Sequence, residues 1–318
     1  MDTAIGKNRF RTHLKLWLPD AKSPWGRQLK PVLSTFGKIR IVMLEGFTFA
    51  DYYGLHTLRR TRANEQVGLW KSAFKPLQAQ PSVFDTLTET LVGPCALRVF
   101  IEAKQKIHYS IVINHGQTPV AFCRREIRSA TNEVFHHFLN VIPEYQSSGI
   151  GSRLLCNAVS WYKMLNWPKI HKIYITAGLS AGGSVWPKFG FRPIDGKQWS
   201  KTHKRIRLNM ERIPSEVRKQ FQQQTGLDIT EYIDDILAST DPCKIWDISD
   251  LDYAENTRSI RIPKSHTAHG YALGTFLLRQ TRWKGVLDLT DSIAVDAFKT
   301  FFEGKEKRSG ISYGCKNI

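Results

Sequence analysis

The sequence predicts an α/β fold: a mixed, mostly antiparallel central sheet flanked by helices, followed by a mainly helical C-terminal extension. Three observations predict it. Runs of period-two alternation at residues 96–102, 108–114 and 120–127 read as consecutive strands, the last two joined by a turn at His115-Gly116-Gln117-Thr118-Pro119. A further buried strand from Val134 ends in a glycine-bearing turn, after which Leu154, Leu155, Ala158, Tyr162 and Leu165 recur at helical spacing. From Pro214 onward the texture changes to helical segments, with Asp228 and Glu231 spaced as a capping box.

The turn is Gln146-Ser147-Ser148-Gly149-Ile150-Gly151, without an acidic residue and with two glycines just before the helix. Glycine lets the backbone approach a ligand closely. The first helical turn has unpaired N–H groups and the positive end of the dipole. Together these make a cradle for a phosphate. The dinucleotide and Walker patterns both fail, because there is no third glycine at the right offset and no Gly-Lys-Ser/Thr.

What fits instead is the run formed by Val141, Pro143, Tyr145, Gln146, Gly149, Gly151, Ser152, Leu154 and Leu155. This run resembles the acetyl-CoA pyrophosphate motif of the GNAT family of N-acyltransferases. A second similarity follows in register: a strand at Lys172-Ile173-Tyr174-Ile175-Thr176, then a short helix ending Trp186-Pro187-Lys188-Phe189-Gly190-Phe191. The resemblance covers roughly residues 40–212. It implies a GNAT fold, acetyl-CoA or another acyl-CoA as co-substrate, and direct attack of an amine on the thioester. It also implies that Val141, Gln146, Ser147, Ser148, Gly149, Ile150, Gly151, Ser152 and Trp186 contact the cofactor, with the pantetheine arm entering where the strand splays beyond Pro143 from residues 173–176. A backbone N–H meeting the thioester carbonyl there would stabilise the oxyanion.

Acyl transfer needs a neutral amine, and histidine titrates in the range that can remove its proton. His136 and His137 lie on the central strand, and Glu133 is the third candidate base. Neighbouring strand residues face opposite sides, so only one histidine can enter a cleft; packed structural histidines are the alternative. The family pattern departs at Trp186, where many members have a tyrosine that protonates the leaving thiolate. An indole N–H is a poor substitute. The family's asparagine is replaced by Ala177-Gly178-Leu179-Ser180, leaving Tyr145, Ser180, Ser184 or solvent as proton source. The departure leaves room for a non-acetyl acyl group or for a fold kept for other work.

At 318 residues the chain can bury a large core, and a prior of about 150 residues per domain suggests two units. No apolar run approaches the roughly 18 residues of a membrane span, and the N-terminus is charged where a signal peptide is apolar, so a cytoplasmic protein without membrane contact is expected. The five cysteines are widely spaced and never form C-x-x-C, which reads as scattered thiols rather than a disulfide framework or zinc site. The aspartates of residues 228–255 contain no D-x-D-x-D-G loop and read as solvated surface, with no metal expected.

Charge is the outlying quantity: 46 Lys plus Arg against 28 Asp plus Glu leaves +18 and a pI near 9.8. CoA needs only a few basic groups, so the surplus fits a polyanion, DNA or RNA, or a basic solvated surface. Residues 1–38 interleave Arg9, Arg11, Lys15, Lys22, Arg27, Lys30 and Lys38 with Phe10, Trp17 and Trp25. Such an arm can grip a nucleic-acid strand or wrap the domain. Residues 38–44 read as a first strand and 49–62 as a helix carrying Arg59, Arg60 and Arg62, candidates for an anionic acceptor. Residues 197–212 read as a last, basic strand, with Lys204 on one face and Arg205 and Arg207 on the other.

The expected organisation is an N-terminal arm (1–38), an acyltransferase domain (39–212) and a mainly helical extension (213–318), the last including helices at about 267–282 and 291–302. The extension could complete the acceptor site, form a homodimer or recognise a partner. The acceptor is read as a nucleobase amine or an aminoacyl-tRNA, with a protein lysine or a small amine as the enzymatic alternative. A non-catalytic nucleic-acid or partner-binding protein is the reading from another class.

Overall fold

The computed structural model describes residues 31–34, 41–44, 95–102, 106–115 and most of 118–309, apart from 142, 147, 166–168, 179–181 and 265–266. The expected helix at 49–62, and nearly all of the expected arm at 1–38, lie outside the described residues. The chain divides into two compact units, one reaching to His171 and the other running Lys172–Ser309.

In the first unit the strands β1 (Pro31–Ser34), β2 (Ile41–Leu44), β3 (Cys95–Glu102), β4 (Lys106–His115), β5 (Thr118–Arg128) and β6 (Glu133–Val141) lie in chain order. All pairings are antiparallel except β2 with β3, which is parallel. The meander β3 to β6 is the one the alternation predicts. Helix α1 (Ile150–Met164) follows, and its predicted stripe is buried: Leu154, Leu155, Ala158 and Tyr162, with Leu165 just past its end, are each at most 5% exposed. Burial of such side chains contributes roughly 1.5–3 kcal/mol apiece and fixes α1 in place. Cys156 on this helix is disulfide-bonded, which corrects the expectation of scattered thiols, while Cys123 and Cys243 are free. The wide spacing of the cysteines in the sequence carries no signal for a single bond of this kind.

In the second unit β7 (Lys172–Ala177) pairs antiparallel with β11 (Trp283–Asp288), which in turn pairs with β8 (Arg192–Pro193). Between them come α2 (Gly182–Val185), a 3₁₀ turn at Pro187–Phe189, α3 (Gly196–Glu211), α4 (Ser215–Thr225), α5 (Ile229–Ala238), α6 (Lys244–Asp250), the hairpin β9 (Arg261–Lys264) and β10 (Thr267–Ala272), and α7 (Leu273–Leu277); α8 (Ser292–Ser309) closes the unit. Asp228 caps α5 as predicted, its carboxylate accepting from the N–H groups of Thr230 and Glu231.

Two expectations change here. Residues 197–212 are helical, not a strand: Trp199, Thr202, Ile206, Asn209 and Met210 are buried at spacings of three, four, three and one, a period of 3.6 rather than 2. Residues 267–282, expected as helix, hold β10, a five-residue helix and the approach to β11. The core of this unit is aromatic, with Phe191, Trp199, Phe221, Trp283, Phe298 and Phe302 all under 2% exposed or close to it. Inside it the Lys188 ammonium donates to Asp252 at 2.6 Å and to Thr275 Oγ1 at 2.8 Å. Asp252 also accepts from the Thr275 N–H and hydroxyl, so the buried charge is fully bonded.

Candidate functional site

The predicted turn forms the junction between β6 and α1. Pro143–Tyr145 makes one 3₁₀ turn, and the Tyr145 carbonyl then accepts from both the N–H (3.3 Å) and the hydroxyl (2.6 Å) of Ser148. Gln146 turns back, its amide donating to the Val141 carbonyl at 3.0 Å. Its role is therefore to pin the turn to the end of β6. Gly149 follows with φ 85° and ψ −4°, a left-handed conformation that glycine adopts without penalty. It is the N-cap of α1, and its carbonyl accepts from the Arg153 N–H at 2.9 Å.

The N–H groups of Gly149, Ile150 and Gly151 meet no acceptor among the described residues, and no side chain caps the helix. The first turn carries no acidic residue. Three consecutive amides thus converge at the positive end of a 15-residue helix. A Cβ on Gly151 would rest at ordinary contact distance, 3.8 Å, from Leu139 and Val141, so the glycine at 151 is less demanding than the one at 149. Ser152 is buried, and Ser147 lies outside the described residues.

On β6 the two histidines diverge as strand geometry requires. His136 is buried against α1, its Nε2 3.0 Å from the Tyr162 hydroxyl, and its Nδ1 has no partner among the described residues. Burial, then the charges of Arg125 and His137, hold its pKa well below the ordinary imidazole value. His137 points away from it and remains partly open, with 36% of its side chain exposed. It sits at a bulge: Arg124 pairs with Phe138 and Arg125 with His136, leaving His137 as the extra residue.

The partner of His137 is one the sequence reading missed. Glu126 on β5 meets His137 Nε2 at 2.8 Å and accepts from Arg128 Nε at 2.6 Å. The Arg128 guanidinium lies 3.8 Å from the centre of the Phe135 ring, which also stacks on the His137 ring. A carboxylate with 8% of its side chain exposed therefore orients an imidazole and leaves Nδ1 for another partner. Burial lowers the His137 pKa below its ordinary value, and the Glu126 hydrogen bond opposes that shift. The signal available in the sequence was Arg124-Arg125-Glu126-Ile127-Arg128, one acid among three arginines on a predicted strand.

The other candidates have surroundings of their own. Glu133 opens β6 and accepts from Thr131 Oγ1 at 2.8 Å. Tyr145 is half-buried in the turn. Trp186 belongs to the second unit, where it packs edge-on against Phe189 and Phe191 and its carbonyl accepts from their N–H groups. Its nearest role is to hold that aromatic turn. Ser180, Arg59, Arg60 and Arg62 lie outside the described residues. Lys204, Arg205 and Arg207 stand on helix α3, not on a strand, and Arg207 pairs with Asp234 at 3.2 Å on the surface. Helical spacing puts the exposed Lys197, Lys201 and Lys204 on one stripe instead.

No protein-family model matches the chain, and no curated protein sequence matches it. Solved structures similar to it include nourseothricin acetyltransferase, at 10% identity and a TM-score of 0.24 over 30% of this chain and 55% of that one. Tetrahymena GCN5 is similar at 17% identity and 0.22, over 41% of this chain and 71% of that one. Arabidopsis thaliana Naa50, in complex with the bisubstrate analogue CoA-Ac-MVNAL, is similar at 20% identity and 0.22, over 37% and 81%. The chain spans about half the length of nourseothricin acetyltransferase. It is thus similar in fold, over part of its length, to solved acetyltransferase structures, and at such TM-scores the functional reading rests on its own residues.

Proposed function

We propose that the chain is an acyl-CoA-dependent N-acyltransferase. The observation that carries it is the left-handed Gly149 opening a buried helix, with the amides of Gly149, Ile150 and Gly151 left for an anion. In this reading those amides hold the CoA diphosphate, and the pantetheine arm runs along the end of β6 near Val141. His137 lies four residues upstream, about 13 Å of extended strand. That separation suits a long cofactor gripped at one end and reacting at the other.

The amine nitrogen attacks the thioester carbonyl carbon while its proton passes to His137 Nδ1, directly or through water. Glu126 holds the imidazole in the tautomer with Nε2–H, and stabilises the imidazolium that forms. The tetrahedral oxyanion collapses, the C–S bond breaks and CoA leaves as thiolate. Tyr145, Ser180 or solvent returns a proton to it, because Trp186 is not suited to that task. His136, neutral and bonded to Tyr162, positions β6 against α1 rather than reaching substrate.

For the acceptor, the net charge of +18 and the lysine stripe of α3 favour an amine on, or attached to, a nucleic acid over a protein lysine or a free small amine. A binding protein that keeps the cradle without turnover is the second reading, favoured by the structural role of Trp186. Mass spectrometry of nucleic acid and protein from cells expressing wild type or Gly149→Glu tests both. An acylated product present only with wild type supports the transferase and names the acceptor. Identical spectra beside a retained acetyl-CoA thermal shift support the binding protein. Affinity for nucleic acid that does not change with salt would remove the polyanion acceptor, since each phosphate contact contributes a slope of about −0.9 in log K against log salt.

A further inference from the structure

The second unit holds a cavity of about 140 Å³ that the proposed reaction does not use. Phe221 from α4 and Tyr232 from α5 form its aromatic walls, their rings 5.8 Å apart and tilted by 54°. Asp247 and Asp250 line it from α6, three residues apart and so on one helix face. These acids belong to the one acidic stretch of a chain that is otherwise strongly basic.

The polar groups of the lining differ in what they leave open. Thr225 donates to the Phe221 carbonyl and accepts from the Leu227 N–H; Thr257 donates to the Leu251 carbonyl. Asp247 is already paired with Lys244 at 2.7 Å. The Asp250 carboxylate has neither an ion pair nor a hydrogen bond among the described residues. Burial, followed by Asp247 and Asp252, raises its pKa, and burial followed by Asp247 and Asp250 raises that of Tyr232. Among the described residues, negative charge at this cavity therefore exceeds what neighbouring cations balance.

Size and chemistry together narrow the occupant. Aromatic lining beside a carboxylate that is unpaired among the described residues favours a cation over an anion or a neutral group. A cavity of about 150 Å³ takes one benzene-sized group, which admits the end of an alkylammonium or guanidinium chain and excludes a nucleotide. A divalent metal would need roughly six oxygen ligands, and no three His, Cys, Asp or Glu side chains among the described residues are grouped to hold one.

We propose that this cavity binds an alkylammonium or guanidinium group, with Asp250 pairing the charge and Phe221 and Tyr232 packing against the cation and its stem. The site is independent of the transferase reading. A lysine or arginine side chain of a polypeptide and a free amine share this chemistry. Leu227, 50% exposed beside the cavity, offers an apolar ledge for whatever flanks the cation.

The test titrates the full chain with n-butylammonium, butylguanidinium and neutral n-butanol, read by calorimetry and ligand-observed NMR. Saturable binding of the two cations in the millimolar range is expected, with butanol about tenfold weaker. Asp250→Asn should weaken both cations about tenfold and leave butanol unchanged. Tyr232→Leu should weaken the cations as well, with thermal melting to check that each variant is folded. N-acetyl-lysine N-methylamide binding about tenfold tighter than n-butylammonium assigns a polypeptide source, and equal affinity assigns a free amine. Cations that bind no better than butanol, or bind Asp250→Asn as well as wild type, overturn the proposal.

Discussion

Replacing Gly149 separates strain in the turn from access to its amides. A residue with a Cβ costs about 1–2 kcal/mol in the left-handed region that Gly149 occupies at φ 85°. Gly149→Ala should therefore lower the melting temperature by about 2–4 °C per kcal/mol lost in a unit of this size. Asparagine tolerates the same conformation, so Gly149→Asn should lose only a fraction of that. Both substitutions set a side chain beside the amides of Ile150 and Gly151. Acetyl-CoA at about a hundred times its Kd stabilises a one-site protein by about 2.7 kcal/mol, here about 5–10 °C. Differential scanning fluorimetry with and without acetyl-CoA should show this increment in wild type and little of it in either variant. An asparagine variant that keeps the full increment would show that the amides are not the cradle, and a wild type unmoved at millimolar acetyl-CoA would remove the cofactor.

Three further outcomes are expected. His137 must be neutral to accept a proton and its pKa lies below 6.5, so the rate should rise with pH below that value and level off above it. Glu126→Gln removes the group that pulls this pKa upward, so the limb should move to lower pH; a pH–rate profile with an unmoved limb refutes the pairing, while His137→Gln should cost about 10²–10⁴ in kcat. Folded His136 resists a proton that the unfolded chain accepts near pH 6.5, so its contribution to stability is complete above that pH and is lost as pH falls toward its depressed folded value. Urea denaturation at pH 7 and pH 5 should show a loss of at most about 1.4 kcal/mol per pH unit from this group, flattened in His136→Gln. Lys188→Met strands the buried Asp252 carboxylate and should cost about 3 kcal/mol or more in denaturant titration, much of it recovered when Asp252→Asn is added; equal stability of the single variant and wild type would refute the claim.

What the sequence disclosed follows from how local its cause was. The meander from β3 to β6 and the start of α1 were legible because the apolar period switches from 2 to 3.6 across a glycine turn. Helix α3 was not, because its basic residues fall at alternate positions near Lys204, and only the wider spacing of Trp199, Ile206 and Met210 betrays the helix. The run Tyr271-Ala272-Leu273-Gly274-Thr275-Phe276-Leu277-Leu278 is apolar without a period, so neither its short helix nor the strands around it could be separated from a longer helix. Glu126 escaped notice because its contact with His137 depends on a bulge in strand pairing. Lys188 and Asp252 are 64 residues apart, and no local rule joins them.

Strand β11 joins β7 to β8 although it follows β8 by some ninety residues of chain. On a ribosome, the edges of β7 and β8 that receive it wait open until residues 283–288 have emerged. Loop closure of that length makes its assembly a late and slow step, and exposed strand edges invite unwanted pairing in the interval. A protein cut at residue 212 would keep every motif that suggests an acyltransferase, yet lose the strand that pairs with β7 and β8. Expression trials should therefore treat the C-terminal hundred residues as part of the fold's own scaffold.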